Sequence, residues 1–301
     1  MSSKIAGALR WSLAPVVLVA AGTLLLPAQD AIAKSLQGMA SVSTIALMRN
    51  LTQVAIGGAV SAFQPDSRAW PPARAPWQIM RGFTMAGTGL FFFAGVQLMP
   101  LADTIAITFV YPFIVAVLAP LVLRERLHWR EAIAVGAGFG GALLIIRPGG
   151  AAFSPVAFLP LGAATCYAFY FLITRSLARA EIPVAHMQFW SAIFACLWVG
   201  IAGFAAPKFG LSSLGFSASG GLVLLVLIAM GAIGTLGHWM ITHAARHVPA
   251  SISAGLGYVE IVNATLLGWF IWGDFPHALV WAGIAVVISS GVWLARLQTV
   301  K

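Results

Sequence analysis

Apolar residues fill this chain in ten blocks, each close to the roughly 20 residues that cross a bilayer as a helix. They fall at about 11–33, 38–60, 77–98, 101–123, 129–147, 154–175, 183–204, 218–243, 250–272 and 277–296. Short polar or Pro/Gly segments separate them: Gln64-Pro65-Asp66-Ser67-Arg68, Pro71-Pro72, Arg124-Glu125-Arg126, Arg147-Pro148-Gly149-Gly150 and Pro207-Lys208. The pattern predicts an all-α integral membrane protein with ten transmembrane helices.

Composition excludes the alternatives. Of 301 residues, 60% are hydrophobic and 8% charged, with a mean hydropathy of +0.93. A soluble domain carries about 25% charged residues, so too few polar groups exist here to coat a water-facing surface. Disorder needs low hydrophobicity and high charge, and is excluded on the same numbers. The net charge of +9 does not indicate nucleic acid, because the basic residues are scattered at the edges of apolar runs and form no stripe.

Their distribution sets orientation instead. With ten spans both termini face one side. That side would hold Lys4, Arg10, Arg68, Arg74, Arg81, Arg124, Arg126, Arg130, Arg175, Arg179, Arg246, Arg296 and Lys301, against Lys34, Arg147 and Lys208 opposite. Basic loop residues accumulate on the cytoplasmic face, which predicts both termini in the cytoplasm and location in the inner (cytoplasmic) membrane.

The chain also repeats itself. At one fixed offset Pro100 meets Pro249, Glu125 meets Asp274, and His128 meets His277, with a single span between in each copy. Lys34-Ser35-Leu36 ends the first span as Arg175-Ser176-Leu177 ends the sixth. An odd number of spans per copy turns the second copy upside down, so the expected architecture is two inverted five-helix repeats, 1–150 and 151–301. Carriers built this way place the substrate site at the midplane between repeats.

Pro100, Tyr111-Pro112, Leu123-Arg124-Glu125-Arg126-Leu127, Gly136 to Gly141 and Ile145-Ile146-Arg147-Pro148-Gly149 resemble the EamA domain of the drug/metabolite transporter superfamily. Pro249, Asp274, Gly283 and Gly291 repeat the pattern more faintly, and Asp30, Lys34 and Arg49 are similar to the start of bacterial ten-helix members. The resemblance implies a ten-helix bundle carrying small metabolites by alternating access. Asp274 departs from the usual Glu. Tyr111 and Glu260, at equivalent positions of the two copies, imply an asymmetric cavity.

Several residues can carry chemistry. An ionisable group at the bilayer centre costs at least about 2.5 kcal/mol, so it has a reason to be there. Arg49 and Glu260 stand at mid-span. Either they line a cavity, Arg49 for a carboxylate or phosphate and Glu260 for an amine or coupling proton, or they neutralise each other. Asn263, three residues after Glu260, shares its helix face. Tyr111, His238 and Trp239 complete the set of substrate-binding or coupling candidates. Asp30, Lys34 and Asp103 sit towards outer helix ends, where an outer gate or interfacial pairing are alternatives; Lys34 is one turn after Asp30 and can pair with it. Pro112 and Pro120 are expected to break the fourth span and Pro160 the sixth, while Gly136 and Gly140 form a close-packing G-x-x-x-G.

No P-loop occurs, so no nucleotide or other cofactor is expected. His243 and His247 lack a carboxylate or cysteine companion, so no metal is expected either. The expected function is therefore a secondary transporter of a small polar or amphipathic metabolite, amino-acid-like or cofactor-like, working as a monomer or homodimer in lipid. The alternative is an integral-membrane enzyme acting on lipid or peptide, but no G-x-S-x-G elbow or H-E-x-x-H helix is present. No catalytic residue is assigned.

Overall fold

A computed structural model describes residues 2–63, 72–99, 101–124, 128–146, 155–210, 214–248, 253, 256, 257, 259–273 and 278–299. The helices are α1 (Ser2–Ser35), α2 (Val42–Ala62), α3 (Ala75–Leu98), α4 (Leu101–Thr108), α5 (Tyr111–Leu123), α6 (Trp129–Ile146), α7 (Phe158–Arg179), α8 (Val184–Ala205), α9 (Gly221–Ala244), α10 (Val259–Trp272) and α11 (Ala278–Thr299). Among the described residues there is no strand, only an isolated antiparallel bridge between Ala40 and Ala218. The fold is all-helical.

Five segments are long and apolar enough to cross a membrane by length and composition: Ala14–Ser35, Ala75–Leu98, Pro155–Arg179, Val184–Phe209 and Gly221–Ala244. The protein is a multi-pass membrane protein. Among the remaining helices, α2 is diluted by the polar stretch Arg49, Asn50, Thr52 and Gln53, all of which are buried. The fourth apolar block is divided into α4 and α5 at Phe109–Val110, just ahead of Pro112 in the first turn of α5. Pro120 lies inside α5 and Pro160 inside α7 without interrupting either helix.

Packing follows an exchange of halves. Helix α1 packs on α9 as α7 packs on α3; α2 packs on α9 as α8 packs on α3; α1 meets α10 as α7 meets α5. The pairs α2–α8 and α6–α11 map onto themselves. Glycines permit two of these approaches. A Cβ on Gly22 would lie 2.7 Å from Gly237 O, and one on Gly237 would lie 2.9 Å from Gly22 O. At Gly82, a Cβ would overlap Phe194 and approach Ser191 O of α8 to 2.8 Å. Gly136 and Gly140 do not behave this way: both are exposed, with open space where a Cβ would go. That helix turns the Gly136/Gly140 side outward, while Ala134, Gly138 and Gly141 on its other side are buried.

Each end of the bundle has its own polar fastening. At one end basic side chains take backbone carbonyls at or just beyond helix C-termini, where intrahelical partners run out. Arg179 Nη1 donates to Leu123 O at 2.8 Å, Arg246 Nη2 to Ile182 O at 2.8 Å, and Arg175 Nη1 to Ala245 O. At the other end Ser41 caps α2 by accepting from Thr44 N, and its own N–H donates to Ser217 O at 2.9 Å. Gln97 Nε2 donates to Ala40 O at 3.0 Å there, and Lys34 Nζ to Met99 O at 3.1 Å.

The punctuation that aligns the repeat falls partly outside the described residues, namely Pro100, Pro249, Glu125, Asp274 and His277. So does the expected boundary at 150/151.

The α1–α9 contact yields a direct test. Gly22→Leu forces a side chain into backbone and should lower the melting temperature in detergent, by the equivalent of about 1–3 kcal/mol. Gly136→Leu, on the open face, should leave it within the scatter of wild type. Equal effects of the two would contradict this packing.

Candidate functional site

Helix α2 brings Arg49 inward because its polar residues face α8 and α9. Gln53 Nε2 donates to Gln188 Oε1 at 3.0 Å, and a Cβ on Gly231 of α9 would touch Arg49 Cα at 3.2 Å. Arg49 is 7% exposed. Its Nε donates to Gln29 Oε1 at 3.0 Å and its Nη1 to Asn50 Oδ1 at 3.2 Å. Gln29 in turn donates from Nε2 to Asp30 Oδ1 at 3.0 Å. The guanidinium is thus met by two amide oxygens, and an amide stands between it and the nearest carboxylate on α1.

A cavity of about 650 Å³, open solvent at its mouth included, lies beside this relay. Gln29, Asp30 and Arg49 line it, and so does Glu260 from the first turn of α10. Tyr111, in the first turn of α5, lines it as well. Tyr111 and Glu260 are the two repeat-equivalent positions, and each opens a helix. The α4–α5 interruption precedes Tyr111; Gly257 in a turn precedes Glu260, whose N–H donates to Gly257 O at 2.8 Å. Interrupted helices of this kind present backbone termini and polar side chains to a buried space.

The wall of the cavity is aromatic. Tyr167 and Tyr170, three apart on α7, share a helix face and stack at 5.8 Å and 11°. Both meet His238 of α9 edge-on, at 6.1 and 5.9 Å. Tyr111 lies edge-to-face on Tyr167 at 4.6 Å. Phe92, Phe93 and Phe109 extend the apolar side. The chain has four tyrosines, and three of them line this one cavity.

The sequence candidates are therefore placed unequally. Arg49, Glu260, Tyr111, His238 and Asp30 share the cavity. Asp30 is 4% exposed and accepts from Gln29, while Lys34 extends to Met99 O at the bundle end and lies 5.9 Å from the Trp272 ring. The expected one-turn pairing is replaced by divergence, because the two side chains serve different neighbours. Asn263 is not in the lining; its Nδ2 donates to Leu24 O at 2.6 Å, fastening α10 to α1. Trp239 packs against the cluster of Ile173, Leu177 and Met187, behind the cavity wall. The side chain of Asp103 lies outside the described ones. Among the described residues no group of three metal-ligating side chains occurs.

One residue assigned to a cytoplasmic segment belongs in the interior. Arg81 is fully buried. Its Nε donates to Thr174 Oγ1 at 2.8 Å, Nη1 to Met187 O at 2.7 Å and to Ser191 Oγ, and Nη2 to Tyr170 OH at 2.7 Å and Gln188 Oε1 at 3.3 Å. The guanidinium also lies 4.5 Å from the Tyr170 ring. Oxygens of α7 and α8 surround it, so a residue of α3 clamps three helices and fixes the tyrosine that faces the cavity. The sequence places Arg81 six residues into its helix, where an interfacial arginine is ordinary. A polar cluster distributed over Tyr170, Thr174, Gln188 and Ser191 was the available signal. Tyr167-x-x-Tyr170, a same-face pair in a tyrosine-poor chain, was another.

The profile described as "EamA-like transporter family" matches residues 13–147 and again 154–296. The chain is 26% identical over 230 residues to a riboflavin transporter of Vibrio cholerae serotype O1, covering 75% of this chain and 73% of that protein. It is 24% identical over 216 residues to an S-adenosylmethionine uptake transporter of Rickettsia bellii, covering 72% and 71%. A pseudopaline exporter of Pseudomonas aeruginosa is 26% identical over 230 residues, with 74% and 76% covered. A solved crystal structure has a TM-score of 0.72 and 17% identity, covering 95% of this chain and 99% of its own, which shows a shared fold.

The Arg81 clamp predicts an ordering of stabilities. Thr174→Val removes one acceptor and should cost about 1 kcal/mol. Arg81→Gln strands several buried acceptors and should cost more, on the order of 3 kcal/mol. Arg81→Lys should fall nearer to Arg81→Gln than to wild type, because an ammonium cannot reproduce the planar fork. Thermal unfolding in detergent reads the order; wild-type behaviour of Arg81→Lys would contradict it.

Proposed function

The chain belongs to the EamA-like transporter family, and from that premise we propose that it is a secondary transporter moving a small amphipathic metabolite by alternating access. The observation that carries this reading is the composition of one cavity. Arg49, Asp30 and Glu260 bring opposite charges to it, and Tyr167, Tyr170 and His238 give it an aromatic wall. Arg49 holds an anionic group of the solute, since a guanidinium with open donors recognises carboxylate or phosphate. The tyrosine wall takes a flat or ring-bearing portion. Glu260 and Asp30 receive a cationic group or a coupling proton. Relatives named for riboflavin, S-adenosylmethionine and pseudopaline agree with a solute of mixed character, cofactor-like or amino-acid-like.

The two-fold exchange in packing supports ten crossings arranged as two inverted five-helix repeats, with α4 and α5 together forming one crossing. Antiparallel approach follows from the contacts: Gly22 neighbours Ile241 while Gln29 neighbours Gly234, and Gly87 neighbours Cys166 while Gly95 neighbours Pro160. The end fastened by Arg175, Arg179 and Arg246 faces the cytoplasm under the positive-inside bias. Both termini lie there, and the membrane is the bacterial inner membrane. Removing Arg81 from the surface count leaves that bias intact.

Alternating access requires each half to close around the site in turn, so saturable exchange is the expected behaviour. In proteoliposomes loaded with candidate solutes, wild type should show saturable uptake accelerated by the same solute on the other side. Arg49→Gln and Glu260→Gln should each lower that exchange at least about tenfold, the scale of one lost charged contact. Flux that never saturates, or Arg49→Gln and Glu260→Gln exchanging at the wild-type rate, would contradict the proposal.

A further inference from the structure

The relay between Arg49 and Asp30 depends on a residue in neither repeat partner's charged set. A Cβ placed on Gly234 of α9 would overlap Gln29 Oε1 and lie 2.7 Å from Gln29 Cδ. Among the described residues, the three atoms nearest that position all belong to Gln29. The Gln29 amide therefore lies in the space a side chain at residue 234 would fill. From there its Oε1 accepts from Arg49 at 3.0 Å and its Nε2 donates to Asp30 at 3.0 Å.

We propose that Gln29, seated by Gly234, is a positioning residue that keeps Arg49 and Asp30 apart as two separately available charges, and so sets the site to take solutes bearing both an anionic and a cationic group. The proposal rests on the transport reading for its use, and on geometry alone for the separation itself. A carboxylate and a guanidinium this near in a poorly solvated space attract strongly. Left without the amide, they would close into a direct pair and cancel. An amide can satisfy both at once, because it offers an acceptor to the arginine and a donor to the carboxylate. The pair then stays open, and a solute with two opposite charges can bind across it without first breaking an ion pair.

Glycine at residue 234 is what makes room. Alanine there displaces only the far end of a flexible side chain, so the fold should survive while the relay does not. Gln29→Leu removes the amide chemistry at near-constant size and gives an independent route to the same collapse.

The separation is read without any solute. Dicyclohexylcarbodiimide traps a buried carboxyl group through its protonated form, which a carboxylate held only by an amide reaches in equilibrium and one closed onto a guanidinium does not. In purified full-length protein, mass spectrometry of the labelled peptides should show Asp30 modified in wild type. In Gly234→Ala and Gln29→Leu, monodisperse by size exclusion, Asp30 labelling should fall roughly tenfold, with Glu260 labelling little changed. Unchanged Asp30 labelling in both variants, or an Asp30 as unreactive in wild type as in the variants, would overturn the proposal. A second arm uses S-adenosylmethionine, which carries both charges, and riboflavin, which carries neither, as probes of thermal stabilisation. Gly234→Ala should lose more of the shift given by the first than by the second; equal losses would overturn the selectivity claim. Absence of transport by wild type for every solute would sink the transport reading alone, since labelling does not depend on it.

Discussion

The structure is organised by the need to satisfy arginine in a medium without water. A guanidinium carries five donors, and each one left bare in a hydrocarbon environment is costly. The protein meets that constraint in two different ways. Arg81 is saturated: oxygens from Thr174, Met187, Ser191, Tyr170 and Gln188 surround it, and it joins α3 to α7 and α8. Arg49 is held only in part, by Gln29 and Asn50, at the edge of a cavity. The first arginine builds a rigid wall; the second is offered to whatever enters. Tyr170 links them, since it accepts from Arg81 and lines the same cavity as Arg49.

Close approach of helices is the condition for both. Gly22 and Gly237 bring α1 and α9 together, and Gly82 brings α3 against α8. The two contacts are not equivalents under the exchange of halves: α1–α9 corresponds to α7–α3, and α3–α8 to α9–α2. The cavity then forms where both halves interrupt a helix, before Tyr111 in one and before Glu260 in the other. Equivalent positions carry a phenol and a carboxylate, so a symmetric scaffold holds an asymmetric site. Such a scaffold can alternate between two related packings while the solute keeps one set of neighbours.

The apolar blocks made the helices legible, since each reports its own burial. The mid-span charges Arg49 and Glu260 were legible for the same reason: each is the one charged residue of its predicted span. Arg81 was not, because its burial arises from three helices distant in sequence, and its local setting near Arg74 and Pro72 matches an interface. Gln29 was hidden beside Asp30, since its role needs Arg49 and Gly234 at once. Lys34, Asn263 and Trp239 have the chemistry of a site, yet Met99, Leu24 and the Ile173–Leu177 cluster take them up. Pro120 and Pro160 sit inside intact helices, so proline alone did not locate the interruption.

In our proposal the transported solute resides in this cavity. The decisive measurement is a structure of the protein with a solute that it demonstrably exchanges. Solute density should lie between Arg49 and Glu260, with its ring against Tyr167 and Tyr170. Density for that solute at another place in the bundle, with Arg49 still bonded only to Gln29 and Asn50, would contradict it.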